Sequence, residues 1–264
     1  MQTKSACQES LILNIFITMD KMKIVGIFLA AGRGSRLAPL TDTIPKPMMD
    51  IQGKSILERS MTSASFVDRF NIVVHWLKEQ IIAKIGTEYK SKLVGYTNQE
   101  NPKGGTMQAF RLAAQQSLKD SESEIGFCVF NADNINADSY YDILKEAIYS
   151  DPNKSYAVAK KFEDRSRLSE YGVFQVDSDN NLLNIIEIPQ EYVSDLANIG
   201  MYYFPPKIKE YLDIDLTNGN SEEYITELYN HIRDKIDIQI LSGTGTHFAV
   251  TNPSDLEAAQ SLDL

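Results

Sequence analysis

The amino-acid sequence predicts an α/β fold with a parallel, doubly wound central sheet. Residues 24–31 form a dense apolar run rich in β-branched side chains, as expected of a strand buried on both faces of such a sheet. Short apolar runs and amphipathic segments then alternate along residues 56–150, which is the pattern of successive strand and helix units. Residues 171–188 alternate around an Asp/Asn-rich turn and predict an antiparallel hairpin.

The individual elements follow from local signals. Ser55 and Glu58 have the spacing of a capping box, so a helix is expected over residues 56–65. Asp138 and Asp255 are each expected to cap a helix. Further strands are expected over residues 70–74, 93–96, 125–130, 155–160 and 197–204, and further helices over residues 78–85, 107–118 and 138–150.

Length and charge limit the class of protein. The chain has 264 residues, which suits one large α/β domain or one domain with a small appendage. Its formal net charge of −10 disfavours a nucleic-acid partner, although local cations still allow a phosphate ligand. Cys7 and Cys128 lack metal-site spacing, and Cys128 is expected in the core, so a reducing cytoplasm is the expected location.

The first 22 residues precede the expected first strand. We expect residues 1–22 to be a flexible N-terminal extension or the product of an over-long gene start, with a packed amphipathic appendage as the alternative. The apolar stretch 11–18 is interrupted by Asn14 and is too short to span a bilayer. No small-residue cleavage pattern follows it, so we expect neither a signal peptide nor a membrane partner.

The segment after the first strand has the features of a phosphate-binding site. Gly32 and Gly34 permit a turn in which backbone N–H groups close on an anion. Arg36 and Lys46 add two cations, and the prolines between them stiffen the backbone. This combination predicts a nucleoside triphosphate site. A dinucleotide fingerprint is excluded because Leu37 stands at the sixth position of the motif, and the P-loop pattern is absent.

The whole run resembles the GxGxRLxPLTxxxPKPM signature of the sugar-1-phosphate nucleotidyltransferases. The matching residues are Gly32, Gly34, Arg36, Leu37, Pro39, Leu40, Thr41, Pro45, Lys46, Pro47 and Met48. The resemblance covers about residues 22–260 and implies one nucleotidyltransferase domain over residues 23–264. The implied fold is a Rossmann-like three-layer α/β sandwich with a mixed central sheet.

The resemblance also implies a reaction in which an NTP and a sugar 1-phosphate give an NDP-sugar and pyrophosphate. Arg36 would hold the β- and γ-phosphates, and Lys46 would bridge the α-phosphate and the acceptor phosphate. Asp133 follows the strand expected at 125–130 and would bind Mg²⁺, which commonly takes one or two carboxylates together with phosphate and water oxygens. Its residue context alone would indicate a turn or a helix cap.

The nucleotide-binding set that the resemblance implies comprises Leu29, Ala31, Gly32, Gly34, Gln99, Gly104, Gly105 and Thr106. In this set Gln99 and the backbone of Gly104 or Gly105 would read the base edge, because a glycine approaches a planar base without a clashing Cβ. On its residues alone, Gly-Gly-Thr is also an ordinary helix start. The Gln-Ala-Phe that follows looks like the thymidylyl- and uridylyltransferase branch.

The implied acceptor-binding residues are Asn131, Gly172, Glu187 and Asn198. Glu187 is followed by Ile188, whereas relatives carry a lysine there that meets the sugar phosphate. This departure leaves the acceptor open. For Tyr224, within the segment 223–227, we expect an ordinary structural role.

A second departure lies near the end of the chain. The second Mg²⁺ carboxylate of the family falls on Ala249, or on Thr251 in some branches, and Asn252 is a further source of an oxygen. His247 is expected to pack or to contact the sugar rather than a metal.

Two alternatives to a sugar nucleotidyltransferase therefore stay open. One is a cytidylyltransferase acting on phosphocholine or another non-sugar phosphate. The other is a non-catalytic nucleotide- or sugar-binding regulator. The expected partners are an NTP and a small phosphorylated acceptor, and the oligomeric state is not specified by the sequence.

Overall fold

The computed structural model describes residues 22–101, 103–119, 123–163, 165–217 and 222–263, and for residues 165–167 the backbone alone. Except for Met22, the predicted N-terminal extension lies outside these residues. The strands are β1 (Met22–Leu29), β2 (Asp50–Ile51), β3 (Lys54–Ser55), β4 (Arg69–Val74), β5 (Glu88–Tyr89), β6 (Lys92–Asn98), β7 (Glu124–Asn131), β8 (Asn134–Asn136), β9 (Ser155–Lys161), β10 (Val173–Val176), β11 (Leu182–Ile186), β12 (Leu196–Phe204), β13 (Ile238–Gly243) and β14 (His247–Ala249). The helices are α1 (Ile56–Ser63), α2 (Lys78–Ile85), α3 (Gly105–Lys119), α4 (Asp138–Ser150), α5 (Ile225–Ile232) and α6 (Pro253–Ala259).

The central sheet is mixed. Its main path runs β11-β10-β12-β7-β1-β4-β6-β5, and β9 with β13 branches from β12. The neighbouring pairs among β7, β1, β4 and β6 are parallel, as the strand–helix alternation predicts. The alternation does not predict β12, which runs antiparallel to both β7 and β9. The mixed sheet that the family resemblance implies is confirmed.

Helices cover both faces of the sheet. Val25 and Ile27 of β1 belong to the core cluster that also contains residues of α3 and α5. Ile24 and Phe28 of the same strand belong to the other cluster, which contains residues of α1, α2 and α4. Alternate residues of β1 therefore bury themselves on opposite faces, which explains its continuous apolar character. None of the helices in the described part of the chain is both long and apolar enough to cross a membrane.

Three predicted helix caps have different outcomes. The capping box of Ser55 and Glu58 is present at the start of α1, as predicted. The prediction for Asp138 is wrong, because Ala137 is the N-cap and Asp138 is the first helical residue, where its carboxylate accepts a hydrogen bond from Ser63. The N-cap of α6 is Asn252, and Asp255 is the reciprocal partner in a capping box rather than the cap itself.

The sheet brings the chemistry of two distant segments together. Leu29 at the end of β1 pairs with Asn131 at the end of the parallel strand β7. The glycine turn that follows β1 and the segment around Asp133 that follows β7 therefore emerge at the same edge. This is the carboxyl edge of the parallel strands, where ligands of doubly wound sheets bind.

Candidate active site

A cavity of about 240 Å³ lies where the signature segment meets the end of β7. It is lined by Leu29, Ala30, Gly32, Gly34, Ser35, Arg36, Leu37, Lys46, Pro47, Asp133 and Thr251. We call it the phosphate cavity. It contains both predicted catalytic cations and the predicted metal ligand. Ala31, a predicted nucleotide-binding residue between Ala30 and Gly32, is buried.

The glycine turn is held in place from outside the cavity. Gly34 has a φ of 68°, and its carbonyl accepts a hydrogen bond from the Thr41 hydroxyl at 3.0 Å. The Thr41 carbonyl in turn accepts the indole N–H of Trp76 at 2.8 Å. The guanidinium of Arg33 lies over the same indole, 4.5 Å from the ring centre. These contacts stabilise the turn that contains Gly32 and Gly34, both of which line the phosphate cavity.

Lys46 and Asp133 form an ion pair across this cavity. The Nζ atom of Lys46 lies 2.7 Å from Oδ2 of Asp133. The lysine side chain is 9% exposed and the aspartate side chain 42% exposed, so the pair has a buried end and an open end. The ion pair therefore fixes the orientation of the Lys46 ammonium group, while the Asp133 carboxylate stays accessible from the open side.

A second cavity, of about 270 Å³, extends from the first toward the antiparallel half of the sheet. We call it the acceptor cavity. Its lining comprises Arg36, Thr106, Asn131, Asp133, Asn134, Glu170, Tyr171, Gly172, Glu187, Asn198, Ile199, Gly200, Tyr202, Tyr224, Ile225, Thr226 and Ala249. All four predicted acceptor residues line it. Arg36 and Asp133 line both cavities, so the two spaces meet at these side chains.

The polar groups of the acceptor cavity are pre-organised. The Asn198 amide donates to the Tyr202 hydroxyl at 2.7 Å, and the Asn198 carbonyl oxygen accepts the Gly200 N–H at 3.0 Å. A Cβ on Gly200 would lie 2.2 Å from the Asn131 amide nitrogen, so only glycine leaves room for that side chain. Burial, together with nearby Glu227, raises the pKa of the Glu187 carboxyl.

The predicted base-reading segment forms a tightly packed helix start. Gln99 is buried, and its amide donates to the Gly105 carbonyl at 3.1 Å and to Gln108 at 3.3 Å. The Gly104 carbonyl accepts the backbone N–H of Glu223 at 3.1 Å, and a Cβ on Gly105 would lie 2.2 Å from the Glu223 carbonyl oxygen. The glycines therefore have a packing reason as well, and their contact with a base stays a prediction. Thr106 lines the acceptor cavity.

Glu223 is itself fixed by an ion pair with Arg111. Its carboxylate accepts two hydrogen bonds from the Arg111 guanidinium, at 2.7 and 2.9 Å. The Glu223 side chain is 7% exposed and the Arg111 side chain is 19% exposed. Hydrogen bonding from Arg111 lowers the pKa of Glu223, although burial opposes this. The residues are far apart in the chain, so no local pattern indicates the pair.

The residues of the phosphate cavity fit a divalent ion held mainly by the substrate. Asp133 supplies one half-exposed carboxylate, which is within the range that Mg²⁺ uses when phosphates and water complete its shell. Within the described ranges, no three His, Cys, Asp or Glu side chains are grouped to hold a metal on their own. A metal here would therefore need oxygens from the bound nucleotide.

The end of the chain provides no second carboxylate at the aligned position. Ala249 pairs with Asn134 and lines the acceptor cavity. The side-chain oxygen of Asn252 already accepts hydrogen bonds from Ser254 at 2.6 Å and from the Asp255 N–H at 3.0 Å, as a helix cap. Of the two candidate replacements, only Thr251 lines the phosphate cavity.

The sequence did not indicate that aromatic side chains line the acceptor cavity. Tyr224, for which the sequence indicated only a structural role, lies in its lining, as do Tyr171 and Tyr202. His247 is buried, lies 5.7 Å from the Tyr171 ring and has a 2.6 Å hydrogen bond to Asn136. This agrees with the expected packing role of His247. An aromatic in a strand or before a helix carries no signal that separates packing from ligand contact.

Comparison with known proteins identifies the family. The model of a family described as nucleotidyl transferase matches residues 25–240, which is most of the chain. The chain belongs to the nucleotidyl transferase family. The matched range includes the signature segment, the predicted base-reading segment, Asp133 and the predicted acceptor residues.

Two relatives of this nucleotidyl transferase differ in how much of their own length the chain covers. The bifunctional protein GlmU of Methanocaldococcus jannaschii is 31% identical over 238 residues, covering 89% of this chain and 53% of that protein. This chain thus spans about half the length of the GlmU proteins it matches. The UTP–glucose-1-phosphate uridylyltransferase AglF of Haloferax volcanii is 27% identical over 237 residues, covering 89% of this chain and 94% of that protein.

Solved structures share the fold. UDP-glucose pyrophosphorylase complexed with UDP-glucose superposes with a TM-score of 0.77 at 22% identity, covering 90% of this chain and 97% of that one. The apo form of a UDP-glucose pyrophosphorylase gives a TM-score of 0.73 at 21% identity, with the same coverage. The Rossmann-like α/β sandwich with a mixed sheet is therefore confirmed for this member of the family.

Proposed function

We propose that this protein joins an NTP and a sugar 1-phosphate to give an NDP-sugar and pyrophosphate. The observation that carries the proposal is the meeting of two cavities at Arg36 and Asp133. One cavity contains the glycine turn and the cations, and the other contains amides, hydroxyls and a carboxylate suited to sugar hydroxyls. The α-phosphorus of the NTP would lie at their junction.

In this reaction an acceptor phosphate oxygen attacks the α-phosphorus, and pyrophosphate leaves. The protein has little covalent chemistry to perform, because catalysis consists of positioning two anions and neutralising their charge. Arg36 would hold the leaving phosphates, and Lys46 would contact the α-phosphate and the acceptor phosphate. The backbone of Gly32 and Gly34 would contact the remaining phosphate oxygens.

The proposed cofactor is Mg²⁺, held by Asp133 and by substrate oxygens. It would supply charge neutralisation at the phosphates. In the acceptor cavity, Asn131, Gly172, Glu187 and Asn198 would bind the sugar. At the helix start, Gln99 with Gly104 or Gly105 would read the base. The proposed location is the cytoplasm, where NTPs are supplied.

A specific observation supports a second candidate. Ile188, at the position of the family lysine, has a φ of 45° and is 57% exposed. An acceptor phosphate would therefore have no cation from this position. A cytidylyltransferase acting on phosphocholine or another non-sugar phosphate fits that departure.

The experiment is a pyrophosphate-release assay with Mg²⁺ that crosses the common NTPs with sugar 1-phosphates and phosphocholine. The proposal expects one productive NTP–sugar pair and no release with phosphocholine. Release with CTP and phosphocholine alone would establish the second candidate. NTP binding without release across the whole panel would contradict both and would indicate a regulator. The Asp133→Asn variant is the matched negative control.

A further inference from the structure

The acceptor cavity has an uneven distribution of charge. In its described lining Arg36 is the single cationic side chain, whereas Asp133, Glu170 and Glu187 carry carboxylates. Arg36 stands where this cavity meets the phosphate cavity. Glu187 belongs to the wall formed with Gly172, because a Cβ on Gly172 would lie 3.0 Å from its carboxylate oxygen. None of the ion pairs among the described residues includes Glu187.

The Glu187 carboxylate is open to a ligand but poorly solvated. The residue is exposed, yet desolvation by the surrounding protein raises the pKa of its carboxyl, and the charge of Glu227 raises it further. The buried Thr226 hydroxyl lies close enough to oppose this rise, but it does not form a hydrogen bond of normal geometry. A poorly solvated charge without a cation beside it is unfavourable, and a positively charged ligand group would remove that cost.

Tyr224, on the same side of the cavity, also lies among carboxylates. Hydrogen bonding to Glu222, desolvation and the charges of Glu222, Glu187 and Glu227 raise the pKa of Tyr224 to about 12. The N-terminus of α5 adds a partial positive charge here, equivalent to about half a unit charge. Glu227 in its first turn accepts the Tyr224 N–H at 2.8 Å and brings a full negative charge. The start of α5 therefore does not compensate the Glu187 carboxylate.

The polar groups of this wall are suited to a hydrogen-bond donor. The Glu187 carboxylate and the Thr226 oxygen offer lone pairs, and the Asn198 carbonyl oxygen keeps one lone pair besides that which accepts the Gly200 N–H. A protonated primary amine has three N–H donors and a positive charge. A trimethylammonium group has no N–H donor and would leave these acceptors without partners.

We propose that the acceptor is an amino sugar 1-phosphate, whose ammonium group binds Glu187 while its phosphate faces Arg36. This inference rests on the proposed function and names its acceptor class. Such a molecule is negative at one end and positive at the other, which matches a cavity with a cation at its junction and a carboxylate in its wall. A neutral sugar would give Glu187 hydrogen bonds but no compensating charge.

The test compares amino sugars with their neutral parents. Hexose 1-phosphates with an amine at carbon 2, 3, 4 or 6 are titrated into the full chain by calorimetry, each against the sugar that has a hydroxyl at that carbon. Each common NTP is present in turn at saturation, and a chelator removes Mg²⁺, so binding is measured without turnover. At least one amino sugar is expected to bind about 10-fold or more tightly than its parent, because a charge-assisted hydrogen bond is roughly twice as strong as a neutral one.

Two variants assign the preference to its carboxylate. Glu187→Gln should reduce the preference to within about twofold, whereas exposed Glu191→Gln should retain it. A preference that survives Glu187→Gln would overturn the role of Glu187. Thermal unfolding checks that both variants are folded, and the comparison of amino sugars with their parents on the unmodified chain decides the case if one is not.

The remaining outcomes separate this inference from the proposed function. Equal binding of every amino sugar and its parent would overturn the inference, and pyrophosphate release with a neutral sugar 1-phosphate and Mg²⁺ would then leave the proposed function intact. A preferred amino sugar without pyrophosphate release would support the acceptor class and contradict the proposed reaction. Phosphocholine that binds more tightly than every amino sugar would overturn both.

Discussion

Lys46 and Asp133 form an ion pair of 2.7 Å between residues that lie 87 positions apart in the chain. The first belongs to the signature segment after β1, and the second follows β7. The pair holds together the two walls of the phosphate cavity. Without a ligand, the charges of the lysine and the aspartate neutralise each other. A phosphate that binds Lys46 and a cation that binds Asp133 would therefore replace this one ion pair with two separate contacts.

The first prediction concerns Lys46→Ala. Removing one positioned charged donor typically lowers kcat by about 10²–10³, and we expect at least that loss for the productive substrate pair. Turnover is followed by pyrophosphate release under saturating substrates. Lys119→Ala, at an exposed position at the end of α3, is the matched control and should keep its kcat. A Lys46→Ala enzyme with near-normal turnover would exclude the proposed catalytic role.

The second prediction separates the two roles of Asp133. Asp133→Asn should lose Mg²⁺-dependent turnover, because the amide is a poor replacement for the metal carboxylate. It should nevertheless bind metal-free tripolyphosphate about fivefold more tightly, since a unit charge near 4 Å in a solvated site is worth about 1 kcal/mol. Calorimetry in the presence of a chelator measures this affinity. Asp142→Asn, an exposed charge deletion on α4, controls for net charge, and weaker binding by Asp133→Asn would contradict the argument.

Much of the phosphate cavity could be predicted because its residues are contiguous. Gly32, Gly34, Arg36 and Lys46 lie within one short segment, and their chemistry is legible without the fold. The position of Asp133 could be predicted because it directly follows a strongly apolar strand and parallel neighbours end at the same edge. Its role as a metal ligand was implied by the family resemblance and stays a prediction. Capping boxes are equally local, and that of Ser55 was predicted correctly.

The remaining features depend on contacts that hydrophobic patterns do not encode. An apolar strand looks the same in either direction, so the antiparallel insertion of β12 beside β7 was not predicted from alternation. The pairing of Arg111 with Glu223 spans 112 positions.

The third prediction tests the packing at Gly105. Gly105 and Gly53 have similar φ values of 78° and 82°, but a Cβ on Gly53 would meet nothing within 4 Å. Gly53→Ala should therefore destabilise by roughly 1–2 kcal/mol from backbone strain alone. Gly105→Ala should lower the free energy of unfolding by about 1–3 kcal/mol more than Gly53→Ala does, because Glu223 must shift. Urea denaturation of both variants measures the difference, and equal losses would show that the contact with Glu223 is unimportant.

The fourth prediction concerns the pH dependence of stability. Because the folded pKa of Glu223 is lowered, its contribution is fully present above the unfolded value of roughly 4.3 and is lost as the pH falls through the folded value. Glu223→Gln should remove this part of the pH dependence on the acid side of the unfolded pKa. At pH 7 it should cost about 3–5 kcal/mol, because Arg111 is left buried without its partner.

The double variant Arg111→Met/Glu223→Gln is the control for this pair. It removes both charges, so much of the stability lost in Glu223→Gln should return. Urea denaturation at pH 7 and across the acid range measures both effects. An unchanged acid slope in Glu223→Gln would show that another carboxylate governs the transition.

The last prediction is a trade between stability and acceptor binding at Glu187. Because burial raises its folded pKa, the ionised form destabilises the fold at neutral pH, and this cost disappears as the pH falls through the folded value. Glu187→Gln should therefore raise the unfolding midpoint at pH 7. It should also raise KM for the acceptor about 10-fold or more, since hydrogen bonds from sugar hydroxyls to a carboxylate are stronger than those to an amide. Exposed Glu191→Gln is the control for both measurements. A stabilised variant with an unchanged KM would mean that Glu187 does not contact the acceptor. A variant with a lower unfolding midpoint would mean that hydrogen bonds to the ionised carboxylate stabilise the fold by more than its burial costs.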